Sequence, residues 1–400
     1  MRIWLLLGLV TAACGDNLKE APDAAVVGSD APTGFVEATH AAPPQVVSGG
    51  GTVLATPTVV PIFFTGDDET QGQVEDFLGM LSTSPYWTTA VSEYGVGAIT
   101  IAPSIVSTDT PPTTDADLET WLTTNTDGTH APWPVPDANT IYAVFLPAGV
   151  VLSDGPGSTS CVDYGGYHSE DDPVTGQPLV YALLPRCGAS TIGTPLDNLT
   201  SALSHELIEA STDPTPFSAP AYTRIDPDHY IWGHTPGAEI GDMCEYVTAA
   251  YQKLVGPYLV QRTWSNASAA AGHDPCVPVM DSPYVAAAPE LPDDIAVMSR
   301  GGSTTTKGLS VPVGTSKMLV LDLFSDAETI DFTIGGQDAA VFTGGQRTLD
   351  LQWGTVLGNN GTKAQVMVTR TVANTRGNEL EITATVGGKI VAVWWAFIGD

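Results

Sequence analysis

The chain has 400 residues, long enough for two domains, and its 45 acidic against 14 basic residues give a net charge of −31. The acidic residues are scattered along the chain, which is typical of a soluble, self-repelling, exported surface. Such a charge disfavours binding to nucleic acid or to an anionic membrane surface, whereas divalent cations are compatible partners.

The N-terminus resembles a bacterial lipoprotein signal. A single basic residue precedes the apolar run Ile3 to Val10, which is too short to cross a membrane as a helix, and small residues then lead into Cys14. The resemblance implies that residues 1–14 form a signal peptide cleaved before a lipid-modified Cys14. It also implies export, with a lipid anchor in the outer membrane or at the cell surface. An ordinary signal peptide with a leftover thiol is the alternative.

Residues 15–45 predict a flexible acidic tether. They are rich in Ala, Asp, Gly and Pro, and so polar a segment with few large apolar residues cannot bury enough surface to fold. After the signal, no segment reaches the roughly 18 apolar residues that a membrane-spanning helix needs.

Residues 46–280 interleave strands with helices, which indicates a mixed α/β (α+β) layer architecture. The predicted strands are Pro57 to Phe64, Ala98 to Ala102, Thr140 to Leu146 and Leu179 to Leu184. The predicted helices are Gln71 to Leu81, Trp87 to Tyr94, Asp115 to Thr124 and one that begins near Leu196 to Asn198 and ends before Pro214.

The last of these helices carries the strongest chemical signal. His205 and Glu209 lie four residues apart and share one face of a helix, and Glu206 follows His205 directly. Two ligands at i and i+4, with a carboxylate beside the first, form the pattern of a zinc-hydrolase helix, although the usual second ligand is His. The pattern predicts His205 and Glu209 as metal ligands and Glu206 as general base. A buried His–Glu hydrogen bond is the structural alternative.

A second segment, from Gly237 to Glu245, follows about 30 residues later. In zinc proteases of the thermolysin class a later Glu is the third ligand and a nearby Asp supports a ligating His. The similarity predicts Glu239 as third ligand and Asp242 as its supporting neighbour. His168, in a Gly/Tyr-rich loop, is a candidate donor to a transition-state oxyanion, with an ordinary loop histidine as the alternative.

The ligand set also bears on the metal. Zinc with one His and two carboxylates is formally neutral, whereas zinc with two His and one Glu carries a single positive charge. A more neutral centre polarises water less strongly, and oxygen-rich ligands suit Mn²⁺ or Ca²⁺ better than a two-His site does. The zinc-hydrolase helix pattern makes zinc the first prediction, and the oxygen-rich ligand set makes Mn²⁺ or Ca²⁺ the alternatives.

The remaining cysteines fit an oxidising compartment. With Cys14 assigned to lipid, four of the five are left, and none has the CxxC spacing of a zinc site. Of the three possible connectivities we favour the sequential pairs Cys161–Cys187 and Cys244–Cys276. Each closes a loop of a few tens of residues, worth roughly 3–4 kcal/mol in the chain-entropy model.

Beyond an Ala/Pro-rich boundary at residues 280–292 the pattern becomes all-β. Alternating or apolar runs separated by Gly-rich turns predict a β-sandwich over residues 293–400. This part has no His and no paired acid/base residues, so we interpret it as an accessory domain.

Together, several segments resemble the plant phosphate-induced (exordium-like) secreted proteins and their uncharacterised bacterial relatives. The matching segments are 166–169, 180–187, 204–214, 239–244 and 261–276. The resemblance spans roughly residues 55–278 and implies export and a zincin-like fold, but no particular reaction. Two functions stay open: a zinc metallopeptidase acting on peptide or protein substrates, and a non-catalytic wall- or matrix-associated protein with a structural metal site.

Overall fold

The computed structural model describes residues 34–155, 158–174, 176–234, 237–299, 302–342, 345–374 and 377–400. The predicted signal peptide, Cys14 and the predicted tether up to residue 33 lie outside these residues. Within them the chain is mixed α/β, with many strands and few helices. None of the helices in these ranges is long and apolar enough to cross a membrane.

The α-helices are α1 (Asp68–Leu81), α2 (Pro85–Val91), α3 (Asp115–Asn125), α4 (Pro195–Thr212) and α5 (Asn266–Ala270). The strands before residue 280 are β1 (Val46–Val47), β2 (Thr58–Phe64), β3 (Thr100–Ile101), β4 (Ile105–Ser107), β5 (Thr140–Phe145), β6 (Tyr167–Val174), β7 (Gln177–Leu184), β8 (Arg224–Ile225), β9 (Tyr251–Val255), β10 (Tyr258–Gln261), β11 (Thr263–Trp264) and β12 (Cys276–Val277). Those after it are β13 (Val285–Pro289), β14 (Asp293–Ser299), β15 (Gly302–Ser310), β16 (Ser316–Ser325), β17 (Phe332–Asp338), β18 (Leu349–Trp353), β19 (Leu357–Gly358), β20 (Lys363–Arg370), β21 (Asn378–Val386) and β22 (Lys389–Gly399). Short 3₁₀ helices lie at Ser92–Tyr94, Pro227–Gly233, Asp242–Cys244, Thr248–Ala250 and Ala339–Val341.

The first part of the chain is built on a six-stranded sheet in the order β3-β2-β5-β7-β6, with β4 also pairing with β2. All pairs are parallel except β6 with β7, so β6 is an antiparallel strand at the edge. The central strands are buried on both faces, which explains their continuous apolar runs. One face packs against α1, α2 and α4, and the other against α3.

Helix α4 begins earlier than the sequence predicted. Thr194 is the N-cap and forms a capping box with Asp197, which stands at the third helical position. The helix ends at Thr212, with Asp213 as C-cap, because Pro214 cannot continue it. Its apolar side chains Leu199, Leu203, Leu207 and Ile208 are buried. The helix packs against β6, β7 and β10.

Strand β6 is missing from the sequence prediction, which placed His168 in a loop. Its sequence is strongly polar, since an edge strand needs only one buried face, and it therefore lacks an apolar run. His168 pairs with Ala182 of β7. This strand brings His168 alongside α4.

The C-terminal part has two sheets, in the orders β13-β16-β20-β18 and β14-β15-β22-β21-β17-β19. Side chains of both sheets share one core, among them Leu321 and Val366 from the first and Ile382 and Trp395 from the second. This arrangement is β-sandwich-like, as predicted. The predicted boundary at residues 280–292 is wrong in part, because β13 lies within it and all five of its residues are buried.

The two parts of the chain share a continuous hydrophobic core. The ring of Trp232 lies 5.6 Å from that of Trp264 and 6.2 Å from that of Trp394, which belongs to β22 of the sandwich. A hydrogen bond between His234 and Glu379 joins the two parts near the same place. The sandwich is thus packed firmly onto the first domain.

The segment before β1 also contacts both domains. Ala38 N donates to Asn360 Oδ1 (3.0 Å), and the ring of His40 stacks on Phe324 at 3.6 Å. Gln45 N then donates to Asp226 Oδ2 (2.8 Å). The flexible tether predicted over residues 15–45 therefore extends too far, because from Ala38 onward the chain has specific partners.

Both predicted disulfides are confirmed. Cys161–Cys187 and Cys244–Cys276 have Cα–Cα distances of 5.1 and 6.0 Å. They indicate an oxidising compartment such as the periplasm or the extracellular space. The second bond holds the 3₁₀ turn at Asp242–Cys244, which faces α4.

Candidate metal centre

His205 and Glu209 lie one turn apart on the same face of α4. His205 Nε2 is 3.0 Å from Glu209 Oε2, and both side chains are nearly buried, with exposures of 12% and 3%. This separation suits two ligands of one ion and also suits a hydrogen bond from a protonated imidazole. Burial by itself lowers the pKa of His205, but the charge of Glu209 raises it well above its usual value. The Glu209 carboxylate thus favours the protonated form of the ring.

The orientation of the His205 ring is set by Gln261. Gln261 Nε2 donates to Gly241 O (2.6 Å), so its Oε1 is the atom that faces His205 Nδ1 at 3.0 Å. Nδ1 must then be the donor, and Nε2 presents its lone pair to Glu209 when the ring is neutral. A ligating histidine usually has its second nitrogen bonded in this way. The tautomer is the one that binds a metal through Nε2.

Backbone groups of the segment from Gly237 to Glu245 hold the carboxylate of Glu209 in place. Its Oε1 accepts the backbone N–H groups of Gly241 and Asp242, both at 3.1 Å, which leaves Oε2 directed at His205. Burial raises the pKa of Glu209, but His205 and these donors outweigh it and the pKa lies below its usual value. Glu209 is thus an anion in a fixed orientation.

Asp242 lies close to the His205–Glu209 pair. Asp242 Oδ1 is 3.6 Å from His205 Nε2, and the possible ligand atoms of His205, Glu209 and Asp242 all lie within 4.8 Å of one another. Glu239 Oε1, of the predicted third ligand, lies 3.5 Å from His168 Nε2. Asp242, predicted as a supporting residue, is therefore near enough to His205 and Glu209 to share an ion with them.

One ring nitrogen of His168, the predicted oxyanion donor, is engaged by the backbone. Its Nε2 is 3.1 Å from the backbone oxygen of Asp213, which can only accept, so Nε2 is the donor. Its Nδ1 faces Glu206 Oε2 and Glu209 Oε2, each 3.7 Å away. Burial lowers the pKa of His168, but Glu206 and Glu209 outweigh this effect and raise the pKa above its usual value.

Glu206 lies where two cavities meet. A cleft of about 1080 Å³ and a smaller one of about 560 Å³ share Gly166, His205, Glu206 and Asp242 in their walls. A Cβ at Gly166 would stand 3.1 Å from Glu206 Oε1, so this glycine leaves room beside the carboxylate. Glu206 is 5% exposed and is reached from both cavities.

The centre is rich in negative charge. Besides Glu206, Glu209 and Asp242 it contains Glu239 and Asp213, and Glu239 Oε1 and Asp213 Oδ2 are buried without a hydrogen-bond donor among the described residues. Burial and the charge of Glu209 raise the pKa values of Glu239 and Asp242 well above their usual range. A bound cation would relieve this repulsion, so the residues present fit a divalent metal.

Two parts of the centre were not found from the sequence. Gln261 and the Asp213 carbonyl orient the two histidines from 56 and 45 residues away. Neither belongs to a recognisable spacing pattern, since both act through contacts that only the folded chain creates. The proximity of His168 to α4 was missed because β6 was missed.

Comparisons with known proteins do not assign this chain to a family. A scan against protein-family models and a search of characterised proteins both gave no match. Among solved structures, titin M4 in a trigonal crystal form is similar at 11% identity, over 28% of this chain and 94% of that one, with a TM-score of 0.15. A likeness this weak carries no argument about fold or function, and the exordium-like resemblance stays a prediction.

Proposed function

We propose that this protein is an exported metal-dependent hydrolase of zincin-like type, in the first place a zinc metallopeptidase. One divalent ion is held by His205, Glu209 and Asp242, and Glu206 is the general base. The observation that carries the proposal is the 3.0 Å approach of His205 Nε2 to Glu209 Oε2, with the ring tautomer set by Gln261, on the wall of a large cleft. Zinc is the first candidate, with Mn²⁺ or Ca²⁺ as alternatives.

The chemistry divides between the ion and the chain. When bound, the ion supplies an acidified water and polarises the scissile carbonyl. Glu206 would be the proton acceptor, a role for which its oxygens are suited because His168 Nδ1, at 3.7 Å, is too far away to engage them in a hydrogen bond. The low exposure of Glu206 keeps bulk water from competing for the proton.

The cleft suggests the substrate class. Its volume of about 1080 Å³ exceeds what a small metabolite fills, and both domains contribute to it, with Tyr230 and His234 on one side and Met298 of the sandwich on the other. The centre is strongly acidic, and among the described residues Arg224 is the single Arg or Lys in the lining. Neutral or basic peptides are therefore favoured over acidic ones.

One observation favours a second candidate function. The proposed ligand set of one histidine and two carboxylates makes a formally neutral zinc centre, and its oxygen-rich character suits Ca²⁺. A non-catalytic wall- or matrix-associated protein with a structural ion would have such a centre. Glu206 distinguishes the two functions, because a structural ion has no need of a base beside it.

The cellular location is part of the proposal. The disulfides indicate an oxidising compartment, and the N-terminal pattern supports a lipid anchor at Cys14 in the outer membrane or at the cell surface. Radiolabelled palmitate incorporation by the wild type but not by Cys14→Ser tests the anchor. Incorporation by both would refute it.

The base assignment is tested by Glu206→Gln at one equivalent of metal. The substitution preserves shape and removes the proton acceptor, so we expect the ion to be retained and peptide hydrolysis to fall about 10²-fold or more. His205→Ala should lose both the ion and peptide hydrolysis, because one of the proposed ligands is gone. His130→Ala, at an exposed histidine paired with Asp127, is the control and should change neither property. Failure of the metal-loaded wild type to cleave any member of a broad peptide panel between about pH 6 and pH 10 would end the peptidase proposal.

A further inference from the structure

We infer that the centre binds a second divalent cation, held by His168, Glu206 and Glu209, with Glu209 Oε2 bridging the two ions. The ligand atoms of these three residues lie within 4.8 Å of one another, as do those of His205, Glu209 and Asp242. Glu209 belongs to both sets. The inference rests on the proposed function only in that it shares this first metal site.

The tautomer of His168 is the first support. Because Nε2 donates to the Asp213 carbonyl, the neutral ring turns the Nδ1 lone pair toward Glu206 and Glu209. In that form Nδ1 and the two carboxylate oxygens are three ligand atoms that face one another, and the imidazole is only 4% exposed. Bonding of the distal nitrogen to a backbone carbonyl is the usual arrangement for a ligating histidine.

The distances are the second support. His168 Nδ1 is 3.7 Å from both carboxylate oxygens, beyond hydrogen-bond range. Two ligand atoms at that separation subtend about 120° at an ion about 2.1 Å from each, which is close to tetrahedral geometry. The distances from His168 Nδ1 to the two carboxylate oxygens therefore leave room for one ion between these atoms.

A single ion cannot serve both histidines. His168 and His205 do not fall into one cluster of ligand atoms within 4.8 Å, and two atoms farther apart than that exceed the span of about 4.2 Å across one ion with 2.1 Å bonds. Glu209 Oε1 is fully engaged by the N–H groups of Gly241 and Asp242, so Oε2 alone is left to both sets. One bridging oxygen implies ions about 3.5–4 Å apart, the usual separation in two-metal sites.

The number of possible ligand groups is the third support. The carboxylates of Glu206, Glu209, Asp213, Glu239 and Asp242 surround the two histidines. Five carboxyl groups and two histidines are more ligand groups than the four that one tetrahedral ion takes. Because Glu206 is a ligand of the second ion, it is a free proton acceptor only when the first ion alone is bound.

The test is a Mn²⁺ titration of the purified chain followed by electron paramagnetic resonance. We expect two Mn²⁺ ions per chain, and an exchange-coupled signal when both sites fill, because the ions share an oxygen about 3.5–4 Å apart. His168→Ala should bind one ion with an uncoupled signal. His130→Ala should bind two, like the wild type. One bound ion in the wild type, or two coupled ions in His168→Ala, would overturn the inference.

If His168→Ala does not fold, anomalous scattering from zinc-soaked wild-type crystals can still show whether one or two ions bind. Two peaks about 4 Å apart at Glu209 support the second site, and one peak overturns it. One ion with peptide hydrolysis would leave the proposed function standing and remove this inference. Two bound ions, with no hydrolysis even at one equivalent of metal, would support this inference and end the peptidase proposal.

Discussion

At the scale of single residues, the centre depends on close approaches that only the smallest side chain permits. A Cβ at Gly241 would lie 2.6 Å from Glu209 Oε1 and 2.8 Å from His205 Nδ1. At Gly237, where φ is +114°, a Cβ would lie 1.8 Å from Asp242 Oδ2. Both glycines bring backbone against ligand side chains, so the segment from 237 to 242 sets the shape of the site.

Gly241→Ala should weaken metal binding while the fold survives. The backbone at Gly241 is ordinary for any residue (φ −71°), so the added methyl acts only by pushing against Glu209 and His205. We expect at least about tenfold weaker binding of the first ion, in the range found when residues that support metal ligands are changed. Isothermal titration calorimetry measures this. Gly79→Ala on α1, where a Cβ meets no atom within 4 Å, is the matched control, and equal affinities in the two variants would contradict the prediction.

At the scale of elements, α4 and the two segments that meet it make the site. The C-terminal half of α4 carries His205, Glu206 and Glu209. Strand β6 carries His168, and the 3₁₀ turn at Asp242–Cys244 carries Asp242. The capping box at Thr194 stabilises the far end of α4, almost three turns from His205. Helix stability and ligand geometry are therefore separable by mutation.

Thr194→Ala should lower stability without changing metal stoichiometry. It removes the hydroxyl that accepts from Asp197 N (3.2 Å), which costs about 1 kcal/mol in the free energy of unfolding. Urea denaturation of the metal-free protein measures the loss, and metal analysis checks the stoichiometry. Thr89→Ala, at an exposed position inside α2, should be neutral or slightly stabilising, because alanine is the better helix former. A metal content below that of the wild type in Thr194→Ala would refute the separation.

The two disulfides should differ in their effect on the centre. Each closes a loop of similar length, 26 and 32 residues of separation, so removing either should cost roughly 3–4 kcal/mol in the chain-entropy model. Only Cys244 lies in the turn that carries Asp242. We expect Cys244→Ala/Cys276→Ala to lose metal affinity, and Cys161→Ala/Cys187→Ala, the matched control, to keep it. Equal metal affinity in the two double variants would show that the turn holds its shape without the bond.

At the scale of the whole molecule, the sandwich is part of the fold rather than an appended module. Trp232 and Trp264 of the first domain pack with Trp394 in one core, and Met298 of the sandwich forms part of the cleft. The segment from Ala38 to Val46 runs from the sandwich to the first domain and has partners in each. Cooperative unfolding of the two domains follows from this shared core.

Trp394→Ala should destabilise both domains together. Removing a buried aromatic ring costs about 3–5 kcal/mol, and here the cavity opens at the domain interface. We expect one urea transition, with tryptophan fluorescence and metal release coinciding, shifted to lower denaturant. Leu357→Ala, at a side chain 53% exposed on the same sandwich, should stay within about 0.5 kcal/mol of the wild type. Two separate transitions in the wild type would contradict the shared core.

The sequence alone determined the features that depend on neighbours along the chain. The periodicity of α4, the buried runs of β2, β5 and β7, and the placing of His205 and Glu209 on one helical face all follow from local spacing. Sequence proximity also indicated the correct disulfide pairs. The backbone itself sets the geometry between residues close in sequence, so the predictions from residue spacing agree with the structure for these features.

Only the tertiary structure decided how the centre is completed. His168, Asp242 and Gln261 reach α4 and its C-cap from other elements, through contacts spanning 33 to 56 residues. Nothing local distinguishes Asp242, the ligand we propose, from Glu239, because the two lie three residues apart in a segment bounded by close-packed glycines and a disulfide. The polar edge strand β6 and the buried alanine-rich β13 escaped prediction for the same reason: what buries each of them is a distant part of the chain.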